Sequence, residues 1–345
     1  MTTRHRTSPA STDGSFAPGS TGTGPEVAQS RGYGTDAYQR QSTAARRASA
    51  LSAEGFTVTV VGTPAERQQY MDETRARLGG FDHPDVAADA GDTQFEMTEN
   101  YKLAGIPRPP HNRRPYVLVN ADEHVLDLIG GRRREQTEPD EPTMKPGKVS
   151  LAHGGVLVIP EADQLSAHAM DALRQPRTEG VVRIARAHET AEFPAKSGMI
   201  LGASRCEKCG KHPCECAGAF GRMNRNRLSA VVISSHMNVD LAEPDDSPDV
   251  DTNVEAVAYR TNLQRAERQR GYPAARMSPE VTRGREFPES QRAIESTMNS
   301  HERHTVVQVA QGLQDMDGHS TNKPLQDAYV AEAVRMRMVR QPAGR

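Results

Sequence analysis

Residues 146–176, PGKVSLAHGGVLVIPEADQLSAHAMDALRQP, constrain the fold more than any other stretch of the chain. They contain Gly155-Val-Leu-Val-Ile-Pro160. Four consecutive apolar residues bounded by Gly and Pro fit a strand covered on both faces of a sheet. Glu161 and Asp163 follow at its C-terminal end, where open α/β sheets place their ligands. Ser166 is a candidate N-cap for a helix running to about Arg174, with Ala169, Met170 and Leu173 on one face. The strand belongs at the centre of a sheet. A strand that ends in an acid is how many nucleotide-hydrolysing proteins hold metal and water, so the rest of the chain has to be read for a phosphate site.

The frame for one is present upstream. Phe56-Thr-Val-Thr-Val-Val61 is β-branched and apolar, a strand. Gly62-Thr-Pro follows, then a helix from Ala65 to Leu78 that ends at Gly79-Gly80. A phosphate loop needs glycines whose N–H groups face phosphate, a Lys for the outer phosphates and a Ser or Thr for magnesium. The segment reads GTPAERQQ, with one Gly, no Lys, and Gln68 and Gln69 where Lys and Thr would stand. An ordinary strand-to-helix turn is the competing reading.

Further strands are expected at Pro115–Asn120, Met199–Ala203 and Val231–Ser235 continuing to Leu241. Arg132 to Pro146 reads as a charged loop. Val181–Ala187 and Thr190–Pro194 alternate on either side of His188-Glu189, a β-hairpin carrying Arg183 and Arg186. Those arginines, with Arg222, Arg225 and Arg227, are candidates for nucleic-acid contact or simply solvated surface. From Asn253 onward the pattern is helical, with Ser300 capping a helix to Met316 and a last helix from Thr321 to about Met338.

The four cysteines, Cys206, Cys209, Cys214 and Cys216, lie within eleven residues. Such spacing suits a closed tetrahedral zinc site on a loop, with free thiols as the alternative. His212 is either a substitute ligand or a surface residue.

Composition sets the remaining bounds. Only 35% of the 345 residues are hydrophobic and none is Trp, so part of the chain is expected to be disordered. Residues 1–42, rich in Ser, Thr, Gly, Pro and Gln, are that part. The formal net charge of −2 excludes coating nucleic acid by bulk charge. No run of 18 apolar residues suggests a membrane span, and the lack of an apolar signal core suggests a cytoplasmic protein.

From about Ala44 to Arg340 the sequence resembles the AAA+ ATPase module of magnesium-chelatase I-subunit-like proteins, nearer to the ComM/YifB competence branch. The resemblance is carried by Arg114-Pro-Tyr116, Leu128-Ile-Gly-Gly131, Pro146–Glu161, Ala172–Pro176, Glu179–Ala187 and Phe193–Ala195, in collinear order. It implies an αβα sandwich with a central, mostly parallel sheet and a small helical lid. The implied domains are a tail at 1–42, a core at 43–250 with the cysteine insert at 206–216, and a lid at 251–345. It also implies ring assembly with AAA+ subunits, ATP and magnesium as cofactors, and DNA remodelling or chelatase work. Carried over residue by residue, the resemblance finds the phosphate-binding Lys and Thr replaced by Gln68 and Gln69. The magnesium-holding Asp is Pro160, and the water-polarising Glu remains as Glu161. The sensor Asn falls near Arg205, the arginine finger near Ser235, and the lid arginines at Gln308 and Gln311. The expectation is a pseudo-ATPase, an AAA+ module kept for assembly or regulation, set against an active divergent motor.

Overall fold

The computed structural model describes residues 42–77, 91–110, 114–133, 143–186, 189–211, 214–223, 231, 235–242, 252–319 and 323–337. The expected tail therefore lies outside the described residues, except for Ser42. That residue caps the first helix, α1 (Thr43–Ala53), its hydroxyl accepting the Ala45 N–H.

Five parallel strands make the main sheet, in the order β2-β5-β8-β1-β9. They are β1 (Thr57–Val61), β2 (Tyr116–Leu118), β5 (Val156–Ile159), β8 (Gly198–Ala203) and β9 (Met237–Asp240). The central strand is β8, so β5 lies one place from the expected centre. β8 holds Val158 of β5 beside Ile200 and Thr59 of β1 beside Leu201.

Both faces of the inner strands are covered, which is why β1, β5 and β8 are buried at every position. Val156 and Val158 join Val58, Val60 and Ile200 on one face. Leu157 and Ile159 join Met199 and Leu201 on the other. The alternation follows from the two-residue period of a strand. β8 also explains two of its glycines. A Cβ on Gly198 would lie 1.7 Å from the Ser52 carbonyl oxygen, and one on Gly202 would lie 2.0 Å from that of Pro160. Only glycine lets the neighbouring chain come this close.

On the first face lie α1 and the C-terminal helices α11 (Ser300–Met316) and α12 (Asp327–Arg337). Ala48, Leu51, Val307, Ala310, Val330 and Ala333 share one cluster with β1. Helix α8 (Thr252–Arg270) adds Leu263 to it. Between α8 and α11 run the 3-10 turn Ala274–Arg276, α9 (Pro279–Arg283) and α10 (Arg292–Glu295). On the second face lie α4 (Val125–Ile129), α5 (Lys148–Leu151) and α6 (Ala167–Ala172), which supply Leu128, Val149 and Ala169. α2 (Pro64–Arg77) follows β1 directly, and α3 (Gly91–Ala104) docks on α5.

Several local expectations shift. The helix after β5 is two short ones, α6 and α7 (Arg174–Glu179), with Pro176 in the first turn of the second, where it is tolerated. Ser166 does cap the first, accepting the Ala169 N–H. The loop from 132 to 146 contains an antiparallel pair, β3 (Gly130–Arg133) with β4 (Thr143–Pro146). The last strand begins at Met237, and Val231 is helical. Asn299, not Ser300, caps α11, because its side chain accepts the Glu302 N–H while Glu302 accepts the Asn299 N–H. The final helix starts at Asp327, three residues after Pro324. The hairpin is as read, β6 (Val181–Arg186) with β7 (Glu189–Pro194), and His188 at its turn lies outside the described residues.

Candidate functional site

The C-terminal ends of β1, β5 and β8 meet at one edge of the sheet, where this architecture places ligands. The β1–α2 turn contains only Gly62 and Thr63, because the strand ends at Val61 and the helix starts at Pro64. Gly62 donates its N–H to the Ala203 carbonyl at 3.2 Å. The Thr63 N–H is held by the Glu66 carboxylate at 2.7 Å, and the Thr63 hydroxyl accepts the Glu66 N–H at 3.3 Å. This reciprocal cap pairs the Thr63 and Glu66 N–H groups at the start of α2, and Pro64 has none to offer. A carboxylate therefore stands at the positive helix end that would otherwise attract phosphate.

Arg67 closes the space behind the turn. Its buried guanidinium donates to the Gly62 carbonyl at 2.9 Å and to the Ser204 hydroxyl at 2.8 Å. Ser204 in turn donates its N–H to Asp163 at 3.1 Å. The ends of β1 and β8 and the turn after β5 are thus tied by side chains.

In front of this network is a cleft of about 450 Å3 lined by Pro64, Arg67, Gln68, Asn120, Asp122 and Glu161, among others. Glu161 is exposed at its edge, and half-buried Pro160 offers no carboxylate. Asp122 and Glu161 are the acids of this lining. Of the sequence-derived positions, Gln68 and Glu161 line this cleft, while Gly62 is buried in the adjoining turn with its carbonyl held by Arg67. Gln69 lies on the exposed side of α2 and donates to Glu73 at 3.0 Å.

The other motif positions lie elsewhere. Arg205 pairs with Asp240 at the end of β9. Ser235 is buried and its hydroxyl donates to Asn238 at 2.9 Å. Gln308 and Gln311 are buried in α11; Gln308 donates to the carbonyls of Ala275 and Met277, and Gln311 donates to Asp315. These two glutamines serve the packing between α11 and its neighbours.

The cysteine cluster closes on itself. One sulfur of each of Cys206, Cys209, Cys214 and Cys216 lies within 4.8 Å of the others. The closest pairs are Cys206–Cys214 at 3.3 Å, Cys206–Cys216 at 3.8 Å and Cys209–Cys214 at 3.9 Å. Gly210, at φ +65°, turns the chain so that its N–H donates to the Cys206 carbonyl at 2.7 Å. The backbone N–H of Cys209 is the main influence drawing the Cys206 thiol down to about 6, while desolvation pushes Cys216 up to about 12. A tetrahedron around a metal with about 2.3 Å bonds to sulfur has edges of about 3.8 Å, and three of the sulfur pairs lie close to that length. This donor set is compatible with zinc. His212 lies outside the described residues.

On the hairpin, the exposed Arg183 guanidinium pairs with Glu179 and with Glu192, the latter at 2.7 Å. Arg186 holds its place in β6 opposite Glu189. Arg222 is exposed after the cysteine loop, and Arg225 and Arg227 lie outside the described residues.

Sequence reading placed Asp163 with Glu161 at the end of β5 but missed Glu66, Arg67 and Ser204 as parts of this site. The signal for Glu66 was present: Thr63-Pro-Ala-Glu66 has the S/T-x-x-E form of a capping box. Nothing in the sequence announces that Arg67 turns inward, since its partner Ser204 lies 137 residues away along the chain.

The family model for magnesium chelatase, subunit ChlI, matches residues 86–243. An uncharacterized protein of Mycobacterium tuberculosis is 32% identical over 149 residues, which is 42% of this chain and 28% of that protein. Competence protein ComM of Haemophilus influenzae is 41% identical over 92 residues, 26% of this chain and 16% of ComM. The uncharacterized protein YifB of Escherichia coli is 34% identical over 55 residues, 16% of this chain and 11% of YifB. The matched span starts beyond the β1–α2 turn and includes β5, the hairpin and the cysteines.

Proposed function

We propose that the chain carries an AAA+ module of the magnesium-chelatase and ComM family, to which residues 86–243 are similar, and that it works as a subunit without ATPase activity, in assembly or regulation beside AAA+ subunits. The observation that carries this reading is the β1–α2 turn, two residues long and capped by its own Glu66. A phosphate loop cradles β- and γ-phosphates with successive backbone N–H groups, and here the Gly62 and Thr63 N–H groups already have protein acceptors. The cleft in front adds Asp122 and Glu161, which repel a triphosphate. Arg67, the cation at the turn, points behind it to Ser204.

Without a phosphate cradle or a magnesium-holding acid, Glu161 has no positioned water to polarise. In related phosphoryl transfer the loss of a charge-stabilising arginine alone costs about 10³–10⁵ in rate. We read residues 43–250 as the core and 251–345 as the helical part that packs on it. The four cysteines are assigned to a structural zinc, with all four ligands supplied by the protein and no open position for chemistry. No helix among the described residues is long and apolar enough to cross a membrane, and the reading places the protein in the cytoplasm.

The test is calorimetric titration of the purified chain with ATP and with ADP at millimolar concentration, with magnesium, followed by phosphate-release assays. The expected result is neither saturable binding at the cleft nor hydrolysis. Hydrolysis that disappears in Glu161→Gln would overturn the reading in favour of an active, divergent motor. Light scattering of the chain alone and mixed with an intact AAA+ ATPase of the same family tests the subunit role. Joint assembly is expected, and a persistent monomer in both samples rejects it.

A further inference from the structure

The four sulfurs of the cysteine loop do not stand in equivalent places. Cys206 and Cys214 are 3% and 2% exposed, whereas Cys209 and Cys216 are half-buried and reach solvent. Two of the sulfur distances each join one residue of either kind. Cys216 lies 3.8 Å from Cys206, and Cys209 lies 3.9 Å from Cys214. These pairs share no residue and together use all four sulfurs. The two buried sulfurs lie 3.3 Å apart, but both are shielded from a reagent in solvent.

Backbone hydrogen bonds hold this arrangement. The Cys206 N–H donates to the Lys211 carbonyl at 3.2 Å, and the Gly210 N–H returns to the Cys206 carbonyl at 2.7 Å. The Cys216 N–H donates to the Cys214 sulfur at 3.4 Å. The root of the loop is tied to the sheet, because Ser204 donates its N–H to Asp163 and Arg205 pairs with Asp240. The sulfurs therefore stay within reach of one another through the chain itself. An S–S bond is about 2.05 Å long, so each pair reaches it by closing about 1.8 Å.

We infer that this loop is a site of reversible thiol oxidation, in which low-molecular-weight disulfides of the glutathione class convert the four thiols into two bridges, Cys206–Cys216 and Cys209–Cys214. The thiolate of exposed Cys209 attacks one sulfur of the small disulfide. A protein–glutathione S–S bond forms, the old S–S bond breaks, and one glutathione thiolate leaves. The Cys214 thiolate then attacks the Cys209 sulfur, forms the bridge and expels the second glutathione thiolate. Cys216 and Cys206 react in the same order. Each bridge takes two electrons from protein sulfur and reduces one small disulfide to two thiols, which keep the protons that the cysteines lose.

Exposure selects the pairing, because the first attack needs a thiol that a tripeptide disulfide can reach. In a reducing compartment such bridges are transient, so the loop responds to a shift toward oxidising conditions. Zinc held by the same residues leaves as its thiolate ligands are consumed. The two assignments fail separately: zinc content tests the metal, and the bridge pattern tests the oxidation.

The experiment incubates the full chain, as purified and with reductant removed, with oxidised glutathione. Samples are quenched in acid, alkylated and mapped by mass spectrometry. Cleavage after Lys208, Lys211 and Glu215 separates all four cysteines. Glutathione adducts are expected early on Cys209 and Cys216, followed by the Cys206–Cys216 and Cys209–Cys214 bridges. All four alkylatable thiols should be lost, and dithiothreitol should restore them. In Cys209→Ser the Cys206–Cys216 bridge should still form and Cys214 should remain alkylatable, a loss of two thiols and not three. Bridges that form without any zinc appearing in an indicator assay would reject the zinc assignment and leave the oxidation site standing. Four thiols that stay alkylatable in excess oxidised glutathione overturn the inference. So do glutathione adducts that never resolve into bridges, or a Cys206–Cys214 bridge as the main product in the unaltered chain.

Discussion

Thr63 and Glu66 cap each other: the Thr63 N–H reaches the Glu66 carboxylate at 2.7 Å and the Glu66 N–H reaches the Thr63 hydroxyl at 3.3 Å. The arrangement stabilises α2 at the expense of an open anion site. Thr63→Ala should therefore lower stability by about 1 kcal/mol, the usual cost of losing a capping hydroxyl. Glu66→Ala should destabilise in the same direction. Chemical denaturation at neutral pH measures both. Neither change should create ATP binding, because the turn stays two residues long and still lacks a Lys. A variant that gained micromolar ATP affinity would show that Glu66 alone had blocked the site.

Arg67 is a buried cation whose Nη1 spans the Gly62 carbonyl and the Ser204 hydroxyl. Removing it leaves both acceptors without that donor and opens a cavity between the β1–α2 turn and Ser204. Arg67→Ala should cost about 2–4 kcal/mol. Arg67→Lys should recover only part of this, since an ammonium is more strongly hydrated than a guanidinium and costs more to bury. Equal stability of Arg67→Ala and the unaltered chain would show that the network is incidental.

Much of the fold was legible because its strands are apolar runs bounded by Gly and Pro. Val156–Ile159 and Phe56–Val61 read as buried strands for the same reason that they are buried, helices on both faces. The hairpin was legible from alternation. What could not be read was direction and order. No pattern within β5 says that β8, not β5, is central, since both are equally apolar. The candidate site was half legible. Missing residues, such as the absent Lys and the Pro at position 160, show in the sequence. What fills their place does not, because Arg67 and Ser204 are 137 residues apart and meet only through the sheet. The cap at Glu66 was the exception, a local signal that could have been used.

Acid should weaken the fold through its buried histidines. His153 is fully buried, with Nδ1 accepting the Lys196 N–H at 3.0 Å and Nε2 2.9 Å from a Glu96 oxygen. Burial, then Lys196 and Arg276, take it down to about 4 despite that carboxylate. His236 is lowered in the same direction. A base with a depressed folded-state pKa is neutral in the native protein while the unfolded chain takes up a proton below its ordinary value near 6.5. Stability should therefore be complete above about pH 6.5 and fall as pH drops toward 4, with His153 contributing an upper bound of about 3 kcal/mol to the loss. Denaturation curves at successive pH values measure it. His153→Gln should flatten the slope between pH 6.5 and 4, and an unchanged slope would remove His153 from the account.

The cysteine loop yields the sharpest test of a cofactor. Sulfur pairs at 3.3, 3.8 and 3.9 Å leave room for one ion at tetrahedral bond lengths. Protein purified without chelator should carry about one zinc per chain by elemental analysis, and Cys214→Ser should lower that occupancy sharply. Binding needs thiolates, so zinc should be released as pH falls, and a chromogenic zinc indicator should report the release. Stripping the metal should free four thiols to titration with a disulfide reagent and increase proteolysis within residues 206–216, while the sheet keeps its circular dichroism. The sheet should persist because Cys206 and Cys214, though buried, belong to neither of the two large apolar clusters that hold it. Four freely reactive thiols in protein that has never met a chelator would reject the zinc assignment.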